Sequence, residues 1–268
     1  MLVKETKTEK STGYLLDFAL SIAHQAETMI KNDFDKDKRV FFKEDNSPVT
    51  HTDQKINDFV LKRVTTELPG YDLLSEEGSY LENKSKLLWV CDPLDGTIAF
   101  THKIPTCCFS IALLNNGIPI LGVISEPFLG NTYHTLKNSG SYLNNTKITV
   151  SKKTELRSSV IGMSYWPGAK YDLTELHKNL IKKRAAVLLL GSIAYTGSLV
   201  SSGNIDVSIH PGRDPFDTAA LSLLIEEAGG VTTDLTGKYQ RYDSKIKGLV
   251  SANPEIHGQV IKLLKRSK

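Results

Sequence analysis

The stretch Trp89-Val90-Cys91-Asp92-Pro93-Leu94-Asp95-Gly96-Thr97 decides how this chain is read. Residues 87–91 are apolar and fit a buried strand, so the core holds the turn that follows in place. Pro93 locks its own φ near the value a tight turn uses. Gly96 permits a left-handed or closely approached backbone. Asp92 and Asp95 then occupy neighbouring corners of one turn. Two carboxylates so close repel unless a cation lies between them, and hard oxygen donors suit Mg²⁺ better than a soft metal. Thr97 adds a hydroxyl and a backbone N–H where a helix can begin, which suits an anionic oxygen. A solvated Asp-rich turn would use the same residue types. The rest of the chain decides between the two.

With 268 residues, the chain makes one large domain or two closely packed ones. It is long enough to bury a sizeable core without staples. The net charge of +3 is too weak to argue for nucleic acid. No apolar run reaches the length of a membrane span. Residues Met1 to Lys10 are polar and mixed in charge, unlike a secretory signal. Cys91, Cys107 and Cys108 cannot pair completely. They read as buried free thiols in a reducing cytoplasm, with a nucleophilic cysteine as the rarer alternative.

Periodicity predicts amphipathic helices over 12–31 and from Thr52 or Asp53 to 68, with a polar loop over 32–50 between them. A short strand, 71–74, ends at Ser75-Glu76-Glu77, and the strand 87–91 enters the aspartate turn. Strands then follow at 106–114 and 118–126, joined by the hairpin signal Asn115-Asn116-Gly117, and at 131–137 and 141–150. Beyond residue 150 the elements alternate. Strands are expected at 158–163, 186–190, 205–209 and 247–251, and helices at 172–183, 193–202, 216–228 and 254–266. The expected organisation is an α+β half over 1–150 with an antiparallel sheet, and an α/β half over 151–268 that completes a site between them.

Acidic residues gather at element ends: Asp53, Glu76-Glu77, Asp92 with Asp95, and Asp217. Strand ends of α/β proteins face the ligand. Here a resemblance becomes specific. Asp92-Pro93-Leu94-Asp95-Gly96-Thr97, and Asp214-Pro215-Phe216-Asp217-Thr218-Ala219-Ala220 followed by Glu227-Ala228-Gly229-Gly230, resemble the two signatures of the inositol monophosphatase family. Phe216 stands where family members usually carry Trp. Asn46-Ser47-Pro48-Val49-Thr50, Thr52-Asp53, Ser75-Glu76-Glu77, Gly140-Ser141-Tyr142-Leu143-Asn144 and Gly191-Ser192 extend the match over nearly the whole chain.

The resemblance implies a layered α/β/α/β/α sandwich of the inositol monophosphatase and fructose-1,6-bisphosphatase type. It implies a lithium-sensitive hydrolase using two or three Mg²⁺ ions. Carried over, the ligands are Glu76, Asp92, the Leu94 carbonyl, Asp95 and Asp217, with Asp92 bridging two metals and Glu77 outside the set. Thr97, Asp53 and Glu76 would orient and deprotonate the attacking water. The backbone N–H groups of Gly96 and Thr97 would hold phosphate oxygens. Asp95 and Asp217 would border the substrate, with Gly191 and Ser192 on its sugar side. No covalent phosphoenzyme is implied, since Pro-Leu separates the two acids of the turn.

Specificity is less readable. Seven positions before Asp217, where inositol-preferring members carry an acid, stands His210. Arg213 reads as a contact to a second anionic group or as a surface salt bridge. Lys43 reads as a solvated lysine or as one approaching the metals. Ser164, Tyr165 and Trp166 resemble a variable rim, where Trp166 stacks on a ring or caps the core. The expected substrate is a small phosphorylated polyol or sugar such as an inositol monophosphate, and the expected assembly a cytoplasmic homodimer without membrane or nucleic-acid partners. The alternatives are a 3′(2′),5′-bisphosphate nucleotidase, a histidinol-phosphate phosphatase and, in another class, an RNA- or transcription-complex-binding protein. The basic end with Lys262, Lys265, Arg266 and Lys268 permits the last.

Overall fold

In the computed structural model, which describes residues 10–36, 39–44, 47–166 and 169–266, the strand ahead of the aspartate turn runs Leu87–Asp95. Its side chains alternate between two cores. Leu87, Trp89 and Cys91 pack into one, and Leu88 and Val90 face the other. Alternate strand residues point to opposite faces, so a strand apolar at every position is covered on both sides. The layers of the fold follow from that pattern.

The chain begins α1 (Thr12–Phe34), β1 (Val40–Phe42), β2 (Pro48–Thr50), α2 (His51–Glu67), β3 (Asp72–Ser75) and β4 (Tyr80–Leu81). Then come β5 (Leu87–Asp95), the short α3 (Thr97–Thr101), β6 (Cys108–Asn115), β7 (Ile118–Glu126), β8 (Asn131–Leu136), β9 (Ser141–Leu143) and β10 (Thr146–Ile148). The rest is β11 (Val160–Met163), α4 (Thr174–Lys182), β12 (Ala186–Leu188), α5 (Ile193–Ser201), β13 (Val207–His210) and α6 (Ala219–Glu227), then β14 (Val231–Thr233), β15 (Leu249–Ala252) and α7 (Pro254–Arg266).

One sheet has the order β10-β9-β8-β7-β6-β5-β3-β4 and is antiparallel except where β3 lies beside β5. A second, mixed sheet has the order β12-β11-β13-β15-β14. Its β12, β11 and β13 are parallel, and β15 runs antiparallel to both neighbours. Helices α1 and α2 cover the outer face of the first sheet. Helices α5 and α6 fill the space between the sheets, and α4 and α7 cover the far face of the second. The result is the expected five-layer α/β/α/β/α sandwich.

The structure departs from the sequence reading at several places. The expected loop 32–50 contains an antiparallel hairpin, β1 with β2. Its strands are three residues long and all of β1 is exposed, so neither length nor alternation marks it. Helix α2 begins earlier than Thr52 or Asp53, because Thr50 is its N-cap. The expected strand 141–150 is a hairpin, β9 with β10, turning at Asn144, whose φ is +52°. The helix expected from Phe216 begins at Ala219, after a turn closed by Thr218 and Ala219 N–H groups on the Pro215 carbonyl. Strands β4 and β14 have no counterpart in the sequence reading and are two and three residues long. Asn46 and Lys268, both named above, lie outside the described residues, as do residues 1–9.

Helices α5 and α6 approach closely because position 197 is glycine. A Cβ there would lie 1.8 Å from Leu221 Cδ1. Gly197→Ala is therefore expected to lower stability by about 1–3 kcal/mol through overpacking, read as a fall in the urea midpoint. An unchanged midpoint would mean that the two helices separate freely.

Candidate metal centre and active site

The aspartate turn is a bulge in the sheet. Asp92 pairs with Ser110 and Asp95 with Cys108, so β5 uses one more residue than β6 over that step. Pro93 has no N–H to give to a ladder, and Leu94 turns its N–H onto Asp92 Oδ1 at 2.9 Å. The bulge aims both acids out of the strand end. Gly96 follows with φ +92°, and a Cβ on it would meet Ser192 Cβ at 3.0 Å. Both backbone hand and space demand glycine there.

Asp217 arrives from the segment between β13 and α6. Asp92, Asp95 and Asp217 each offer a carboxylate oxygen, and these atoms all lie within 4.8 Å of one another. Burial first, then Glu76, Asp95 and Asp217, push Asp92 far above the ordinary carboxylate range. Burial, Asp95 and Glu76 do the same to Asp217. Burial raises Asp95 to about 6, against the opposing pull of hydrogen bonds from Ser192 and Ala194. Ser192 Oγ and Ala194 N–H both donate to Asp95 Oδ2 at 2.5 Å, so α5 fixes the orientation of that carboxylate. Three converging oxygens that disfavour their own ionisation fit a hard divalent cation, which reverses the local electrostatics.

A second chain of contacts lies beside the cluster. Thr97 Oγ1 donates to Asp53 Oδ1 at 3.1 Å and lies 3.2 Å from the Leu94 carbonyl. Asp53 Oδ2 accepts from Thr50 N–H at 2.8 Å and from the Thr50 hydroxyl. These bonds form a capping box in which Asp53 closes the first turn of α2. One carboxylate thus ends a helix and steers Thr97. Burial raises Asp53 to about 6.

Glu76 contributes to the field at the aspartates, but its carboxylate is bound by Lys43 Nζ at 3.1 Å. Lys43 also reaches Glu77 at 2.9 Å. It is the pair to these two acids, in place of a solvated lysine. The Glu77 side chain is only 6% exposed and so faces inward, behind Glu76. Burial raises Glu77 to about 7, and its two acid partners hold Lys43 in the charged form.

On the substrate side, Gly191 has φ +80° and Ser192 caps α5. His210 is 3% exposed with its ring centroid 5.3 Å from that of Trp166. Its Nδ1 has no hydrogen-bond partner among the described residues. Burial lowers it to about 3, so the ring stays neutral. Arg213 is exposed and, among the described residues, forms no ion pair, so the expected surface salt bridge is not made. Tyr165 and Trp166 are exposed beside the end of β11. Cys91 and Cys108 are free and buried, and burial pushes both thiols up, which suits inert packing groups. Among the described residues, no helix is long and apolar enough to cross a membrane.

A carboxylate cluster at a strand end, between two sheets and three helical layers, defines the class to which known proteins can be compared. The family model described as the inositol monophosphatase family matches residues 13–268. An inositol monophosphatase of Dictyostelium discoideum is 32% identical over 259 residues, covering 93% of this chain and 94% of that protein. A fructose-1,6-bisphosphatase/inositol-1-monophosphatase of Thermotoga maritima is 31% identical over 217 residues, covering 81% and 82%. The crystal structure of the extragenic suppressor protein suhB from Bartonella henselae superposes with a TM-score of 0.87 at 26% identity, covering 94% and 99%. The chain belongs to the inositol monophosphatase family, a family of metal-dependent phosphatases.

Sequence reasoning missed Thr50, the backbone N–H of Ala194 and the grip of Lys43 on both glutamates. The first had a signal: Thr50-His51-Thr52-Asp53 has the spacing of a capping box. The other two join residues far apart in the chain.

Two outcomes follow from this geometry. Asp217→Asn is expected to weaken Mg²⁺ binding by at least about tenfold, measured by calorimetry, and an unchanged isotherm would remove Asp217 from the ligand set. His210 bears on acid stability. Its folded value of about 3 lies below the unfolded 6.5, so the unfolded chain takes the proton first. The stability this residue contributes is full above pH 6.5 and is lost as pH falls toward 3. Between pH 7.5 and 5.0 the parent should therefore lose about 2 kcal/mol more than His210→Gln. Equal losses in paired urea titrations would mean that the folded ring takes up a proton.

Proposed function

We propose that this protein is a Mg²⁺-dependent phosphomonoesterase that hydrolyses a small phosphorylated polyol or sugar by direct attack of water. The observation that carries this reading is the convergence of Asp92, Asp95 and Asp217 oxygens within 4.8 Å, beside the Thr97–Asp53 contact. Glu76, Asp92, the Leu94 carbonyl, Asp95 and Asp217 would hold the metal. Bound Mg²⁺ supplies charge neutralisation on the phosphate and acidifies a water. Asp53, itself fixed by Thr50, would present the Thr97 hydroxyl to the attacking water, and Glu76 would accept its proton. For this, Glu76 must exchange its bond to Lys43 for one to the water. The N–H groups of Gly96 and Thr97 bind phosphate oxygens as charge builds on them. Gly191 and Ser192 border the alcohol part of the substrate. The inositol and fructose-bisphosphate names of the two relatives support a polyol or sugar leaving group. Cys91 and Cys108 are free and buried, which suits a reducing compartment such as the cytoplasm.

A second reading rests on His210. Where an acid would meet an inositol hydroxyl, this chain has a neutral ring beneath the half-exposed Trp166. A flat aromatic wall favours a leaving group with an aromatic ring, such as the nucleoside part of a nucleoside 3′-phosphate.

Phosphate release from inositol 1-phosphate, fructose 1,6-bisphosphate, adenosine 3′,5′-bisphosphate and histidinol phosphate, with and without Li⁺, tests both. Preference for one of the first two supports the first reading, and preference for the adenosine compound the second. With the preferred substrate, Asp95→Asn is expected to lower kcat by at least ~10²-fold, the scale of losing one electrostatic stabiliser. Near-normal turnover in that variant would sink the assignment.

A further inference from the structure

The outer helix layer carries a feature that the phosphatase chemistry does not use. The C-terminal ends of α4 and α7 converge with the loop before β11 on an open groove of about 470 Å³. Six cations line it: Arg157, Lys182, Lys183, Arg184, Lys262 and Arg266. Glu155 is the one carboxylate among the lining residues. All six cations are exposed, and among the described residues none of them forms an ion pair. Their excess over Glu155 is larger than the net charge of the whole chain, +3, so the rest of the molecule is net negative. Positive charge is concentrated here.

Cations in the last turn of a helix are favoured by its dipole, and that accounts for Lys182 and Arg266. It does not account for Arg157, which lies in a loop, or for Arg184. Helix α4 ends in a Schellman motif: Ala185 N–H donates to the Leu180 carbonyl at 3.1 Å and Arg184 N–H to the Ile181 carbonyl at 2.8 Å. Arg184 occupies the position that favours glycine, and its φ is +62°. Its carbonyl accepts from Ser158 N–H at 2.9 Å, and Ser158 is left-handed too, with φ +58°. Lys153 Nζ donates to the Ser158 carbonyl at 3.0 Å. On the other wall, Gln259 Nε2 ties α7 to the Thr154 carbonyl at 2.7 Å. The backbones that present the cations are held before any ligand arrives. An arginine sits where backbone conformation alone would favour glycine.

We propose that this groove binds a linear oligophosphate, on the face of the second sheet away from the metal centre. Guanidinium groups grip phosphate oxygens two at a time, and lysines add point charge. The volume is that of a small-molecule site. None of the groove's lining residues is aromatic, so nucleobases would find nothing to stack on. That favours a base-free phosphate chain over single-stranded RNA.

The test is calorimetric titration of the full chain with inorganic tripolyphosphate. It is run in EDTA, where the acidic cluster repels anions and the groove is read alone. One site is expected, weakening as salt rises. Arg184→Gly should lower the affinity at least about tenfold, the scale of a charge-assisted hydrogen bond. It should keep or raise the urea midpoint, because glycine suits that backbone, so lost binding cannot be blamed on unfolding. Arg157→Ala with Lys262→Ala should act in the same direction. Lys36→Ala with Lys55→Ala, on the α1–α2 side, should leave binding unchanged. Three results would each overturn the proposal: no binding at millimolar tripolyphosphate, equal affinity in both groove variants, or displacement of tripolyphosphate by oligouridylate of the same charge at lower concentration. The last would make the groove a nucleic-acid surface.

Discussion

Three carboxylates with oxygens within 4.8 Å of one another are the constraint around which this fold is organised. Burial and mutual repulsion both oppose their ionisation, and among the described residues no lysine or arginine is hydrogen-bonded to them. Such a cluster fits a site where something positive joins it, and the all-oxygen donor set suits a hard cation. The scaffold around the cluster is correspondingly rigid. Asp92 leaves a strand whose flanking residues fill two cores, and Asp95 is clamped by the first turn of α5.

That clamp also joins the two sheets. Helix α5 lies between them, and through Ser192 and Ala194 its start holds a carboxylate of β5. Three residues beyond its capped turn, Ser198 donates to the buried Glu126 at the end of β7. In the second sheet Asp206, just before β13, accepts from Ser151 Oγ at 2.6 Å and from Val160 N–H of β11 at 2.8 Å. The middle helical layer is thus fastened by polar contacts as well as by its apolar faces. Gly197 sets how closely its two helices approach. Packing between α5 and α6 therefore bears on the geometry of Asp95, although neither helix carries a residue of the carboxylate cluster.

Much of the architecture was legible because apolar patterning is local. The runs 87–91 and 106–114 are apolar at almost every position, which marks strands covered on both faces, and the alternation after residue 150 marks helices packed on a sheet. The acids of the turn were legible because Pro93 fixes the backbone that carries them and Gly96 permits the left-handed turn that follows. Short elements escaped. The three-residue strands of the β1–β2 hairpin have too few positions to show a period, and β1 is exposed on both faces. The start of α2 was misplaced because its capping box was overlooked, although Thr50 and Asp53 stand at the right spacing. The pairing of Lys43 escaped because the acids it meets are more than thirty residues away.

The layered fold, the family and the residue types of the carboxylate cluster are all written in the sequence. These follow from patterning and from two short motifs whose turn chemistry is encoded within a few residues. Only the tertiary structure decided how those residues are used. It clamped Asp95 from α5, gave Asp53 to Thr50 and Thr97 together, turned Glu77 inward against Lys43, and buried a neutral His210 beneath Trp166. It also brought the ends of α4 and α7 to one basic groove. The physical reason is the same in each case. Charge and hydrogen bonding act over a few ångströms of space, and the partners that meet there are set by how the layers stack, over separations along the chain that no local pattern records.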